Sequence, residues 1–112
     1  MNRARGLALA LACVAAASLG QDQVIAQTVP PPTTADVAAG RALSDRDCVA
    51  CHRQKFGAPE TIYVRPDRKV KSLAALRAQV ARCNTELAIQ YFPDEEEQVT
   101  AYLNATHYRF GP

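Results

Sequence analysis

The clearest pattern of apolar and polar positions lies in residues 72–84, SLAALRAQVARCN, and it predicts a helix. Four residues recur at intervals of three, four and three positions: Leu73, Leu76, Val80 and Cys83. Such intervals bring side chains onto one helix face, and Ser72 is a favourable N-cap for it. The pattern therefore predicts that the Cys83 thiol points inward, with the apolar side chains.

Two further segments have patterns typical of helices. Residues 35–47 contain few helix breakers except Gly40. Residues 93–104, PDEEEQVTAYLN, begin with acidic side chains, which stabilise the positive end of a helix. Asp94 is the expected N-cap of this helix, with Glu97 as its capping-box partner. Its buried stripe is expected to comprise Val99, Tyr102 and Leu103.

The remaining segments predict loops, so the expected fold class is all-α. Residues 53–71 contain Gly57, Pro59 and Pro66, which disfavour a long helix. Within them, TIYV at 61–64 is expected to form a short extended piece. The tail, residues 105–112, ends in Gly-Pro and is expected to be frayed or to lie on the surface.

The first 26 residues have the layout of a secretory signal peptide. Arg3 and Arg5 precede an uncharged apolar run, and Val24 and Ala26 suit cleavage before Gln27. The apolar run is short for a membrane span, although an uncleaved anchor is the alternative. Cys13 is preceded three positions earlier by Ala rather than Leu, which disfavours a lipoprotein. The predicted organisation is a signal peptide (1–26), a Pro- and Thr-rich tether (27–34) and one domain (35–112).

The predicted mature chain, residues 27–112, is small and almost neutral. It retains 11 basic and 10 acidic residues once Arg3, Arg5 and Asp22 are removed. That balance disfavours a nucleic-acid-binding protein. A hydrophobic core alone is marginal at this size. The mature chain has three cysteines, an odd number that does not suit a simple disulfide framework.

Cys48, Cys51 and His52 form a C-x-x-C-H sequence, which is typical of covalent haem c attachment. The two thiols would add to the haem vinyl groups, and His52 would bind the iron. Attachment of this kind takes place outside the cytoplasm, in agreement with the predicted signal peptide. The alternatives are a Cys₃His zinc site that also uses Cys83, and a redox-active C-x-x-C pair, which would require a βα context.

The chain resembles the small monohaem (class I) cytochromes c over roughly residues 35–104. Gly40, Leu43 and Cys48 match the family's spacing before the haem motif, although Ser44 stands where an aromatic residue is often found. DEEEQVTAYL resembles the family's last helix, which crosses the first, and Gly40 would permit close approach beside Tyr102. The resemblance implies the cytochrome c fold, with about three main helices around one covalently bound haem.

The second iron ligand differs from the family's usual Met, because the only Met of this chain is Met1. Cys83 occupies the neighbourhood where that ligand is expected, as in the less common exported cytochromes with His/Cys-ligated haem, some of them heterodimeric. The resemblance implies His52 and Cys83 as axial ligands, and a Pro59 carbonyl that fixes His52. For the second iron ligand, the alternatives are His107, a Lys, water or an open site, with Cys83 then an inert buried thiol. For Pro59, the alternative is that it only shapes the turn.

The expected function is periplasmic one-electron transfer, not catalysis. A thiolate ligand favours ferric iron, so a low redox potential is expected. The alternatives are haem-based binding of a small gas such as NO or CO, and a haem subunit of a sulfur-oxidising enzyme complex. The expected partners are a redox protein and a second small cytochrome c in a homo- or heterodimer. The basic segment 65–71 could attract an acidic redox protein, although a run of charges is more often only a solvated surface. The aromatic residues near the C-terminus would cover the haem edge or form such an interface: Tyr91, Phe92, Tyr108 and Phe110.

Overall fold

The computed structural model describes residues 29–112, and within this range the chain is all-α, with no β-strand. Its elements are α1 (Thr34–Asp47), α2 (Val49–Phe56), α3 (Thr61–Val64), α4 (Leu73–Glu86), α5 (Pro93–Leu103) and a terminal π-helical turn (Asn104–Tyr108). None of the helices in this range is both long and apolar enough to cross a membrane. The predicted signal peptide, 1–26, lies outside the described residues.

Helix α1 begins with a capping box. The Thr33 hydroxyl accepts from the Asp36 backbone N–H at 3.2 Å, and Asp36 Oδ2 accepts from the Thr33 backbone N–H at 2.8 Å. Both bonds satisfy N–H groups that have no partner within the helix. The predicted helix over 35–47 is therefore confirmed, with its first residue at Thr34.

Helices α1 and α5 pack closely against each other at Gly40. A Cβ atom at Gly40 would lie 1.8 Å from the carbonyl oxygen of Gln98 and 2.9 Å from the backbone nitrogen of Val99. Only a residue without a side chain allows this approach. The predicted crossing of the first and last helices at Gly40 is thus confirmed, with the backbone one turn before Tyr102 as the contact.

Helix α4 confirms the prediction for residues 72–84, since the Ser72 hydroxyl accepts from the Ala75 N–H at 3.1 Å. The predicted cap of α5 is wrong. Pro93 occupies the first turn, where its missing N–H costs nothing, and Phe92 precedes it as N-cap. Glu95, not Glu97, reaches back to the Phe92 N–H at 2.9 Å.

Residues 53–56, expected to begin the loop over 53–71, are the second half of α2. Two other segments expected to lack helical structure are also helical. TIYV forms the single turn α3 rather than an extended piece, which directs the Tyr63 side chain into the core. The C-terminal tail is ordered rather than frayed, because Asn104 binds the backbone of Phe110 and Tyr108 is buried. Both corrections have the same cause: a bulky tyrosine gains more from burial than from an exposed loop position.

The core is one cluster to which every helix except α2 contributes a buried side chain. Its buried members are Leu43, Tyr63, Leu76, Val80, Tyr91, Val99, Leu103 and Tyr108. Val99 and Leu103 confirm two thirds of the stripe predicted for α5, whereas Tyr102 is only partly buried. Helix α2 carries no buried residue and lies beside this cluster at the edge of a cavity.

Candidate functional site

A cavity of about 510 Å³ opens between α2, α4 and the loop that follows α3. Its volume lies within the range of roughly 300–1,000 Å³ that is common for ligand and cofactor sites. The side chains predicted from sequence as site residues all line this cavity: Cys48, Cys51, His52 and Cys83. The fold therefore brings together residues that are about thirty positions apart in the chain.

The junction of α1 and α2 sets the first three of these residues. Cys48 is both the C-cap of α1 and the N-cap of α2, with φ −110° and ψ −40°. Its N–H donates to the Ser44 carbonyl at 2.9 Å, and its carbonyl accepts from the His52 N–H at 3.0 Å. Because α2 begins at this residue, Cys51 and His52 lie on its first turn. Burial raises the pKa of the Cys48 thiol.

His52 is half-buried and held from one side of its ring. Its Nδ1 atom lies 2.9 Å from the Tyr63 hydroxyl, and the two rings are 5.3 Å apart. Burial lowers the pKa of His52, and the Pro59 backbone acts in the opposite direction. Tyr63 contacts the ring at Nδ1, as the second-sphere partner of a metal-bound histidine commonly does.

Cys83 lies on the inward face of α4, as the sequence pattern predicted. Its sulfur accepts a hydrogen bond from the side-chain amide of Gln79 at 3.2 Å. The same amide accepts from the guanidinium of Arg82 through its oxygen. Cys83 is therefore a partly exposed thiol with a polar neighbour, not a fully buried one.

The cavity combines an apolar interior with charged side chains. Its apolar lining includes Leu76, Val80, Ile89, Val99 and Leu103. Charged side chains of both signs also contribute to it: Lys55, Arg65, Arg68 and Lys69, and the acidic Asp47, Asp67 and Glu86. The Arg68 guanidinium donates to the Tyr63 carbonyl at 3.0 Å and lies 5.1 Å from the centre of the Tyr108 ring. Cationic side chains of this kind suit carboxylates at the edge of an otherwise apolar ligand.

A line of hydrogen bonds connects the end of α1 with the end of α4. The Tyr91 hydroxyl contacts Asp47 Oδ2 at 2.8 Å and the Leu43 carbonyl at 3.2 Å. The Tyr91 backbone is bound in turn by the side chain of Asn84. Burial raises the pKa of the Tyr91 hydroxyl. The residues next to Cys48 and Cys83 are thereby tied to the same tyrosine.

His107, the alternative histidine, is placed differently. Its ring packs against Tyr63 at 4.9 Å and against Tyr102 at 6.1 Å, and it is not among the residues that line the cavity. Of the C-terminal aromatic residues, Tyr91 and Tyr108 line the cavity, whereas Phe92 is 71% exposed.

The described part of the chain contains no group of three or more His, Cys, Asp or Glu residues close enough to hold a metal ion. A Cys₃His zinc site is therefore not assembled between Cys48, Cys51 and Cys83. The donor set fits a haem better, because two thiols for attachment, one imidazole and one further sulfur surround an apolar space. A flat, largely apolar cofactor needs such walls more than it needs converging charges.

Three residues whose side chains bind the predicted site residues or their neighbours were not predicted from the sequence: Tyr63, Gln79 and Asn84. The contact of Gln79 could have been predicted, since Gln79 precedes Cys83 by one helical turn and residues at i and i+4 are neighbours. Asn84 follows Cys83 directly, but its bonds to Tyr91 span a loop. Tyr63 was concealed by the expectation of an extended piece at TIYV.

Comparison of this chain with models of known protein families, with curated protein sequences and with solved structures gave no significant match.

Proposed function

We propose that the chain is a periplasmic c-type cytochrome that transfers single electrons through one covalently attached haem. The observation that carries the proposal is that Cys48, Cys51, His52 and Cys83 line one largely apolar cavity of suitable volume. The bound haem would supply an iron that alternates between ferric and ferrous states.

Cys48 and Cys51 would hold the haem through thioether bonds on the first turn of α2. His52 would provide one axial ligand through Nε2, because its Nδ1 is engaged by Tyr63. Cys83 would provide the other through its sulfur, since it lines the same cavity and His107 does not. An anionic sulfur ligand stabilises the ferric state, so we propose a low redox potential.

The surrounding side chains would limit access of water and orient the cofactor. The apolar lining from α4 and α5 would exclude solvent. A low-dielectric site disfavours net charge, and an anionic sulfur would leave the net charge on the ferrous rather than the ferric centre, so burial would lower the potential further. The basic side chains of residues 65–71 lie beside the cavity and would attract an acidic redox partner. We also propose that the protein associates with a second small cytochrome c.

The deciding experiment is expression of the full chain, with its own N-terminus, in a bacterium that attaches haem c. Mass spectrometry of the purified protein should show one haem that remains bound after denaturation. Electron paramagnetic resonance of the ferric protein should show a low-spin thiolate signal that Cys83→Ser abolishes and His107→Ala leaves unchanged. A purified protein without covalent haem would contradict the proposal. A signal that Cys83→Ser leaves unchanged would contradict the assignment of Cys83 as ligand.

A further inference from the structure

The side-chain amide of Gln79 connects Arg82 with the sulfur of Cys83. Its Nε2 lies 3.2 Å from Cys83 Sγ, and its Oε1 accepts a hydrogen bond from the Arg82 guanidinium. The three residues lie on α4, where positions separated by three and four residues are adjacent on the helix surface. No long-range folding event is needed to bring them together.

The chemistry of the three groups fixes the direction of both hydrogen bonds. A guanidinium can only donate, so the oxygen of the Gln79 amide must face Arg82. The NH₂ group of the same amide must then face the sulfur, which can only receive a hydrogen bond from it. The cation on Arg82 polarises the amide and strengthens its donation to sulfur, because hydrogen bonds in series reinforce one another.

The positions of the three side chains suit this role. Gln79 and Cys83 are both partly buried and line the cavity, whereas Arg82 is exposed and does not. The positive charge thus stays in water, where it needs no further partner, and its effect reaches the sulfur through the neutral amide.

We propose that Gln79, oriented by Arg82, is a positioning residue that draws electron density from the Cys83 sulfur and thereby raises the potential of the bound haem. This inference rests on the proposed function, in which Cys83 is the iron ligand. Hydrogen bonds to a ligating sulfur weaken its donation to iron, which reduces the preference for the ferric state. Gln79 thus offsets part of the lowering of potential that a thiolate ligand causes.

The test compares haem-loaded variants by potentiometric titration and by electron paramagnetic resonance. Gln79→Leu removes the donor with little change in volume, and we expect the midpoint potential to move to a more negative value while the thiolate signal is retained. Gln79→Glu keeps an acceptor for Arg82 but places no donor at the sulfur and adds a negative charge that also favours ferric iron, so its potential should move further in the same direction. Arg82→Leu should give a smaller shift of the same sign.

Gln54→Leu is the matched control, because Gln54 is exposed on α2 and does not line the cavity. Its potential should equal that of the unaltered protein. A Gln79→Leu variant that retains haem and the thiolate signal but has the control's potential would overturn the inference and leave the proposed function intact. An unaltered chain without covalent haem would overturn the proposed function, and a haem protein without a thiolate signal would overturn the ligand assignment. Either result would also overturn this inference.

Discussion

The side chain of Asn84 binds both polar groups of the Tyr91 backbone. Its Oδ1 accepts from the Tyr91 N–H at 2.9 Å, and its Nδ2 donates to the Tyr91 carbonyl at 3.1 Å. Between these residues, Ala88 and Gln90 have φ values of 52° and 70°, which residues other than glycine rarely adopt. Asn84 therefore closes a loop whose backbone is unfavourable in isolation, immediately after Cys83.

Asn84→Ala should destabilise the protein because it leaves the N–H and carbonyl of Tyr91 without their partners. Two unmatched, partly buried groups predict a loss of about 2–3 kcal/mol in the free energy of unfolding. The strained residues Ala88 and Gln90 would then relax, and the hydroxyl of Tyr91 would lose its fixed contact with Asp47. Urea denaturation followed by circular dichroism measures the loss, and hydrogen exchange should show faster exchange in residues 85–92.

Asn104 provides a matched control, since it binds the Phe110 backbone in the same way, at 2.8 and 3.1 Å, around Arg109 with φ 57°. Asn104→Ala should increase hydrogen exchange in the C-terminal turn and leave residues 85–92 unchanged. Equal protection of residues 85–92 in the Asn84→Ala variant and the unaltered protein would contradict the role assigned to Asn84.

The sequence was sufficient to predict those parts of the fold that depend on local patterns. The helical period of residues 72–84 and its Ser72 cap predicted α4 and the inward position of Cys83. These features depend on residues within one or two helical turns of each other. The crossing at Gly40 joins α1 to α5, which are far apart in the chain, and it was expected only from the resemblance to the small cytochromes c.

The rest depends on contacts between residues far apart in the chain. The bond from Tyr63 to His52 joins α3 to α2, and Tyr91 joins the loop before α5 to the end of α1. A periodicity within one segment contains no information about such pairs. The same reason explains why the tail is not frayed, since Tyr108 is buried although most of residues 105–112 lie on the surface.

Tyr63→Phe should affect His52 through the loss of one hydrogen bond. The ring would remain packed against His107 and Tyr108, so the free energy of unfolding should fall by only about 1 kcal/mol. In the haem-loaded protein, an acceptor at Nδ1–H makes an imidazole ligand more basic. Its removal should therefore move the midpoint potential to a more positive value, which potentiometric titration measures.

Tyr102→Phe is the control for this change, because it removes a hydroxyl that does not contact His52 while its ring packs on the same His107. Its potential should match that of the unaltered protein. The proposed role of Tyr63 would be wrong if both variants had equal potentials.

Asp47 should make stability depend on pH in the acidic range. Its hydrogen bond and ion pair with Arg46 at 2.7 Å, and the bond from Tyr91, hold the pKa of the carboxyl below its usual value, although burial opposes the shift. A carboxyl with a lowered folded-state pKa contributes stability above its unfolded pKa of about 3.9, and this is lost as the pH falls through the folded value.

The Asp47→Asn variant should therefore be less stable than the unaltered protein from about pH 7 to 5, and the difference should shrink below about pH 4. Thermal denaturation at a series of pH values measures both curves. Asp45→Asn is the control, because it makes the same change in charge on the exposed face of α1. A difference between Asp47→Asn and the unaltered protein that is constant down to pH 2.5 would indicate a role independent of charge.

Gly40→Ala should be the most damaging small substitution in the α1–α5 contact. The added methyl group would lie 1.8 Å from the Gln98 carbonyl oxygen and 2.4 Å from its carbon, so backbone rather than a flexible side chain must move. Overpacking of this kind typically costs 1–3 kcal/mol, and backbone displacement places this case at about 3 kcal/mol or more. Chemical denaturation should show that loss, whereas Gly111→Ala, where the methyl group meets nothing within 4 Å, should be neutral. Equal stability of the two variants would mean that α1 and α5 can separate at Gly40 without cost. The crossing would then not fix the position of Val99 and Leu103, the α5 residues that line the cavity.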